Sequence, residues 1–319
     1  MLAPLVFSER YNTDLASFGI DKRFALDRAE LVLRKLREEL PELLWHQPQP
    51  LTDDEILTVH TGEYLRSLSR DETWLEIFEL TGEDYRPENA RLRLNEILAD
   101  IRLKAGGTKI AVNLALAGGL AANLGGGYHH AFANRGRGFC SLNDIAIAIR
   151  TAQNEGRVHK VLVVDLDFHQ GDGTALIFKN DPRVFTLSVH SAEGWPEQKQ
   201  ISDIDVPILE SENRLYLEKT ESAITEALRR FAPELVLYVA GSDPYEKDVL
   251  PGTKFIRLSL DEIRQRDQYV IDIFAKLGIP LAMVFAGGYG PDVWEVHYWA
   301  TRRLLERSGF LVESAINCG

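Results

Sequence analysis

The chain has 319 residues, 45% of them hydrophobic and 26% charged, the balance of a globular protein with a sizeable core and not of a disordered chain, a collagen or a coiled-coil rod. Thirty-six Lys and Arg against 48 Asp and Glu leave a formal charge of −12, which argues against broad binding of nucleic acid or an anionic membrane. Two cysteines, Cys140 and Cys318, are too few for a disulfide framework or a Cys-rich zinc module, so a reducing compartment, the cytoplasm, is expected.

Met1 to Arg10 has neither the apolar run nor the basic leader of a signal peptide. A helix is predicted over residues 25–40, where Leu26, Ala29, Leu33, Leu36 and Leu40 fall near the 3.6 period and Pro41 stops it. Asp53, Asp54 and Glu55 after Thr52 read as an acidic first turn. Residues 87–103 are helical by composition, and a second helix is expected over 108–117. The uncharged stretch 110–134 contains Asn113, Asn123, five glycines and His129-His130, too polar an interruption for a membrane span.

Beyond it, short β-branched runs at 121–124, 158–165, 183–189, 235–240 and 281–286 alternate with helical segments at 141–153, 212–231 and 259–277. Runs such as Val161-Leu162-Val163-Val164 are apolar on both faces, as in a parallel sheet covered by helices. The pattern predicts one α/β domain over residues 1–319, an open, doubly wound, mostly parallel sheet flanked by helices. Ligands of such sheets bind beyond the carboxyl ends of the strands, and the polar clusters fall there.

Asp165, Asp167 and His169 are spaced two apart, so on an extended chain they share a side. Two carboxylates and an imidazole suit zinc or another divalent ion; the same acids would equally serve as helix caps or in a magnesium or phosphoryl-transfer site. Gly125-Gly126-Gly127-Tyr128-His129-His130 offers acid/base groups after a flexible turn. Adjacent side chains are expected to diverge, so the two histidines would flank a metal and not share it. A dinucleotide fingerprint is the weaker reading of these glycines, since no GxGxxG opens a helix. Asp243, before Pro244, either completes an Asp-His-Asp ligand set or caps a helix. Tyr289, among Gly287, Gly288 and Gly290, either donates to an oxyanion or lies in a simple turn. Four such segments at strand ends of one domain point to metal-assisted amide hydrolysis.

These segments carry a resemblance. GGGYHHAF, GFCSLNDIAIA, VLVVDLDFHQGDGTALIF, VFTLSVHS, YVAGSDP and AGGYG run in order from Leu124 to Gly290, and in that order the sequence resembles the zinc-dependent histone deacetylase family of the arginase/deacetylase fold. The opening RYNTDLASFGIDKRFALDR, and HQG where HHG is more usual, are similar to the class IV branch. The resemblance implies zinc on Asp167, His169 and Asp243. It implies His130 as general base and then acid, His129 as its electrostatic partner, Asp165 and Asp172 as carboxylates orienting them, and Tyr289 as the group polarising the acyl oxygen. It implies a substrate tunnel walled by Phe139, Gly126 and Gly127, with Trp195 as a facing aromatic. A structural potassium ion would use Asp165, Asp167, His169 and Ser188, and a second monovalent site would lie near Phe178 and Val184. Gln170 falls outside the ligand set, and Glu83 and Asp84 are candidates for the rim acid.

The function so implied is hydrolysis of an acylated lysine in a peptide or protein, with acyl groups longer than acetyl admitted. An acylpolyamine amidohydrolase of the same fold, acting on an acylated small amine, ranks second, because no dimerising insertion is evident. A binuclear ureohydrolase ranks third, since the Asp243 loop lacks a DxD pair. A non-catalytic acyl- or metal-binding module is the reading from a different class.

Overall fold

The computed structural model describes residues 2–22 and 27–311; Ala25, Leu26 and Cys318 lie outside the described residues. In chain order the elements are β1 (Leu2–Val6), α1 (Arg28–Glu39), β2 (Leu44–His46), α2 (Asp53–Ile56), α3 (Gly62–Ser67), α4 (Asp71–Ile77), α5 (Leu98–Gly118), β3 (Leu120–Asn123), α6 (Asp144–Asn154), β4 (Val161–Asp165), α7 (Asp172–Phe178), β5 (Val184–Ser191), β6 (Ile204–Ile208), α8 (Tyr216–Arg230), β7 (Leu235–Val239), α9 (Leu260–Leu277), β8 (Leu281–Val284) and α10 (Val293–Arg307).

The strands form one sheet in the order β2-β1-β3-β8-β7-β4-β5-β6, with every pairing parallel. Burial on both faces explains the apolar runs. Val161 and Val163 of β4 pack with Ala111, Val112 and Ile145 of α5 and α6. Leu162 and Val164 face the opposite layer, with Ile224, Val270 and Leu304 of α8, α9 and α10. Each such side chain taken from water is worth about 1.5–3 kcal/mol. A third cluster around Trp74 and Leu68 ties α2 to α4 onto Ile101 and Ile147 of α5 and α6.

Local signals place several boundaries. Thr52 and Ser259 close capping boxes with Glu55 and Glu262 and so start α2 and α9. Gly278, at φ 67°, ends α9 in the left-handed region. Other boundaries differ from expectation. Residues 87–103 are not one helix: 3₁₀ turns at Pro87–Asn89 and Leu94–Ile97 lead into α5, which absorbs the helix expected at 108–117. Gly106 and Gly107 do not interrupt α5, because their bareness is used in packing. A Cβ on Gly106 would come within 1.7 Å of the Gln49 carbonyl oxygen, and one on Gly107 within 2.0 Å of the Tyr11 hydroxyl. The segment 212–231 begins as a 3₁₀ turn, Glu210–Leu215, before α8. Strands β1, β2 and β6 were not expected. β2 has three residues, and β6 is an edge strand containing Pro207. Among the described residues no helix is long and apolar enough to cross a membrane; residues 110–134 divide among α5, β3 and the loop that follows.

The topology positions the site. The crossover through α6 leaves a gap between β3 and β4, and β8 and β7 fill it, so β3, β8, β7 and β4 are consecutive in the sheet. Their carboxyl ends deliver His129-His130, Tyr289, Asp243 and Asp165–Asp172 to one rim.

Buried His60 supports this rim from beneath, its Nε2 accepting from the Asn143 N–H at 2.9 Å at the start of α6. Burial lowers its pKa from 6.5 to about 4, against the opposing pull of the Phe132 and Ala133 backbone. The folded state therefore keeps His60 neutral where the unfolded chain binds a proton. Its contribution to stability is complete above pH 6.5 and is lost as pH falls toward 4, by on the order of 3 kcal/mol. Urea unfolding at pH 7.5 and pH 5 should show His60→Gln losing less stability on acidification than wild type; equal losses would exclude His60.

Candidate active site

Beyond β4 the chain leaves the sheet, and Asp167, His169 and Asp243 come together. One ligand atom from each lies within 4.8 Å of the others, and all three residues are buried. His169 Nδ1 is 3.1 Å from Asp167 Oδ1 and 3.1 Å from Asp243 Oδ2. Asp167 Oδ2 accepts from the Gly287 N–H at 2.9 Å, and Asp243 Oδ1 accepts from the Phe168 N–H at 2.9 Å. Asp167 Oδ1 also accepts from the His169 N–H at 3.0 Å, so backbone holds both of its oxygens, whereas Asp243 has one oxygen fixed by backbone and its Oδ2 is a buried acceptor with no backbone donor. No helix begins at Asp243, which removes the helix-cap reading.

The charge balance fits a cation. Burial and the neighbouring Asp167 raise the Asp243 pKa to about 7. Burial opposes protonation of His169, yet the carboxylates of Asp167 and Asp243 raise it to about 9. A cluster that gathers protons at neutral pH is one whose negative charge a bound dication would compensate. Glycines give it room: a Cβ on Gly287 would lie 2.5 Å from Asp243 Oδ2, and one on Gly241 2.3 Å from Asp167 Oδ2. Two carboxylates and one imidazole fit zinc, with positions left for water or substrate.

The two histidines stand beside this cluster. Their side chains do not diverge: the rings are 4.0 Å apart at 49°, because the pair lies in a turn where the alternation of an extended chain does not apply. His129 Nδ1 is 2.7 Å from Asp165 Oδ2, and His130 Nδ1 is 2.7 Å from Asp172 Oδ1. An ionised carboxylate only accepts, so each Nδ1 carries a proton; His129 Nε2 faces Asp167 Oδ1 at 3.7 Å, while His130 Nε2 is left for other work. Burial works against the His129 charge, but Asp165 and Asp167 raise its pKa to about 10. Burial and the adjacent His129 lower that of His130 to about 3 against the pull of Asp172. One imidazole is charged and its neighbour neutral.

Tyr289 follows a loop clamped from outside the expected set. Arg28 Nη1 donates to the Gly287 and Gly288 carbonyls, both at 3.0 Å, and Nη2 donates to that of Ala286. The Tyr289 N–H donates to Asp248 Oδ2 at 2.7 Å. Burial raises the phenol pKa well above 10, so at neutral pH it keeps its proton and is a donor. Asp144, which accepts from the Gly127 and Tyr128 N–H groups at 2.9 and 2.7 Å, likewise fixes the turn before His129. Arg28 and Asp144 both fall inside the motifs quoted above. Their identity as buried charges could have drawn notice, but only the fold tells which backbone they hold.

A cavity of about 170 Å³ is lined by Lys22, Phe78 and Leu80, by Phe139, Gly126, Gly127 and Tyr289, by His129, His130, Asp167 and His169 of the site, and by Tyr11, Arg28 and Lys104. Phe139 has φ 64°, an uncommon backbone for a bulky residue, and is held by its N–H to the Ile77 carbonyl at 2.9 Å. Its ring stacks on Phe78 at 6.4 Å and lies 6.2 Å from that of Tyr289.

Trp195, expected as the facing aromatic wall, is not among the residues lining this cavity. It packs edge-on against His130 at 4.6 Å and His169 at 5.9 Å, in space that a Cβ on Gly138 would invade. Ser188 stands beside Asp165 in the β4–β5 register, with its Oγ 3.0 Å from His190 Nδ1. Phe178 and Val184 lie together in the core layer beneath α6. Gln170 is buried outside the ligand cluster, where Nε2 donates to the Gln200 carbonyl and Asp205 Oδ1, both at 2.7 Å. Asp84 is 4.0 Å from Lys22, while Glu83 is exposed; neither lines the cavity.

Eight parallel strands in this order, opening onto acidic loops at their carboxyl ends, define an α/β protein of the arginase/deacetylase type. A solved structure described as a histone deacetylase homologue complexed with SAHA shares the fold, with a TM-score of 0.76 at 24% identity over 97% of this chain and 84% of that one. Residues 22–304 match the histone deacetylase domain, and the chain belongs to that family. Histone deacetylase 2 of Arabidopsis thaliana is 33% identical over 293 residues, 89% of this chain and 74% of its own length. An uncharacterized protein of Picosynechococcus is 42% identical over 194 residues, 60% of this chain and 64% of its own. The acetoin utilization protein AcuC of Bacillus subtilis is 28% identical, over 82% of this chain and 70% of its own.

Proposed function

We propose that this chain, as one catalytic domain over residues 1–319, hydrolyses the amide of acylated lysine in peptides or proteins, with zinc held by Asp167, His169 and Asp243. The observation carrying this reading is the convergence of those three buried ligand atoms within 4.8 Å, beside two His–Asp pairs. Zinc, when bound, supplies a Lewis acid for the amide carbonyl and makes water nucleophilic near neutral pH. His130, with Nδ1–H anchored on Asp172, uses Nε2 to take a proton from the attacking water and return it to the leaving amine. His129, charged against Asp165, lends positive potential. The Tyr289 hydroxyl donates to the oxyanion as it forms. Phe139 and Phe78 offer the apolar wall that a neutral acylated lysine stem needs.

A cavity of about 170 Å³ adjoining the ligand cluster supports acyl groups longer than acetyl, in keeping with the class IV likeness. The names of the Arabidopsis relative and the SAHA-bound neighbour support deacetylase-type chemistry. The cavity is lined by Lys22, Arg28 and Lys104 but by one acid, Asp167, which favours a peptide lysine over a cationic polyamine tail. Structural potassium around Asp165, Asp167, His169 and Ser188, and action in the cytoplasm, belong to the same proposal.

The test is turnover of acetyl- to hexanoyl-lysine peptides and of acetylputrescine by chelator-stripped and zinc-reconstituted protein. Activity should vanish on stripping, return with about one zinc per chain, favour the peptides and be blocked by a hydroxamate. Chelator-resistant turnover, or recovery only with two metals per chain, would overturn the proposal.

A further inference from the structure

The cavity that holds the ligand cluster is also cationic. Buried Tyr11, Thr13, Ile97 and Ile101 line it, and so do two basic side chains, Arg28 and Lys104. Lys104 Nζ donates to Thr13 Oγ1 at 2.9 Å, and Arg28 donates to the carbonyls before Tyr289. Among the described residues neither has a carboxylate within 4.0 Å. The acid acting most on Lys104, Asp100, is itself paired with Arg10 at 2.7 Å. The carboxylates of Asp243 and Asp167 act on Arg28 without pairing with it, and they are the ones that would hold the metal; two cations in one half-buried space with no ion-pair partner form a site whose missing partner is negative. Consistently, burial lowers the Lys104 pKa to about 8, and Arg28 adds to the effect against Asp100. The proposed mechanism uses neither charge at the reacting carbon.

The acyl chain of the substrate can carry such a partner: with its carbonyl at the ligand cluster, its tail lies in the same cavity as the two cations. A purely alkyl tail would leave both cations buried beside hydrocarbon. A tail ending in a carboxylate would pair with them through charge-assisted hydrogen bonds. We propose that the cavity binds the distal carboxylate of a dicarboxylic acyl group, so that the preferred substrates are lysines acylated by diacids of about four to six carbons. Hydrolysis then breaks the amide C–N bond, adds water across it, and releases free lysine amine and the dicarboxylate. This inference rests on the amide-hydrolase reading above.

The experiment compares peptides bearing succinyl-, glutaryl- and adipoyl-lysine with their neutral counterparts of equal carbon number, butyryl-, pentanoyl- and hexanoyl-lysine. For at least one length the kcat/KM ratio of acid to neutral substrate should exceed roughly tenfold in the wild type. Lys104→Met and Lys104→Gln should each cut that ratio by about tenfold or more. Neutral acyl groups preferred at every length, or a ratio untouched by both substitutions, would overturn the inference and leave the hydrolase reading standing. An untouched ratio with weakened acetate inhibition in Lys104→Met would assign the cations to the departing carboxylate, which also overturns it. Failure to hydrolyse any of the six peptides would overturn both.

Discussion

Asp243→Asn is expected to abolish metal retention and, with it, turnover. Asparagine keeps the shape of the side chain and an oxygen for the Phe168 N–H, now accepted at 2.9 Å, so the loop after β7 has no reason to move. What is lost is one of two negative charges facing the candidate metal position, where Asp243 Oδ2 stands buried without a donor. Losing a residue that merely orients a ligand costs about 10–100-fold in metal affinity; losing a charged ligand should exceed that range. Equilibrium dialysis against a zinc buffer, with far-UV circular dichroism confirming the fold, measures the effect. Tight zinc binding and full turnover in Asp243→Asn would remove Asp243 from the ligand set.

Tyr289→Phe and His130→Ala should leave the metal in place and remove the chemistry. Tyr289→Phe deletes one hydroxyl from a position where burial keeps it protonated. One oxyanion donor is worth about 10²–10³ in kcat, so kcat should fall by that factor with little change in KM. His130→Ala deletes the imidazole whose Nδ1 is 2.7 Å from Asp172, and a loss of about 10²–10⁴ in kcat follows if it moves the proton. Asp172→Asn is the informative companion. It keeps the ring in position but weakens control of the tautomer, so its loss should be smaller than that of His130→Ala and should come with an altered pH–rate profile. A Tyr289→Phe enzyme that raises KM at unchanged kcat would make the tyrosine a binding group instead.

The α/β class and the four site loops were legible because their signals are local. Continuous runs like Val161–Asp165 have few alternatives to a buried parallel strand, and glycines with His and Asp at strand ends mark where backbone must approach a ligand. The strands that escaped notice are β2 and β6 at the sheet edges and β1 beside β2; β2 has only three residues, and Pro4 and Pro207 interrupt the β-branched pattern of β1 and β6. The pairings of His129 with Asp165 and His130 with Asp172 join residues 36 and 42 positions apart, and they follow from β3 and β4 opening onto one rim. No spacing in the chain encodes that. Arg28 and Lys104 were missed for the same reason. A basic residue on a helix usually faces water, and only the packing of α1 on α10 and of α5 on β3 and β8 turns these two inward. Trp195, an aromatic in the expected place along the chain, packs edge-on against His130 and is not among the residues lining the cavity.

Anomalous scattering from crystals grown with zinc, recorded on both sides of its absorption edge, is the most direct test of the site. One peak per chain is predicted, with a His169 nitrogen and one oxygen each of Asp167 and Asp243 at about 2.0–2.2 Å. A peak that lies elsewhere, two peaks sharing these carboxylates, or no peak with the three side chains apart would contradict the metal site on which the proposed chemistry stands.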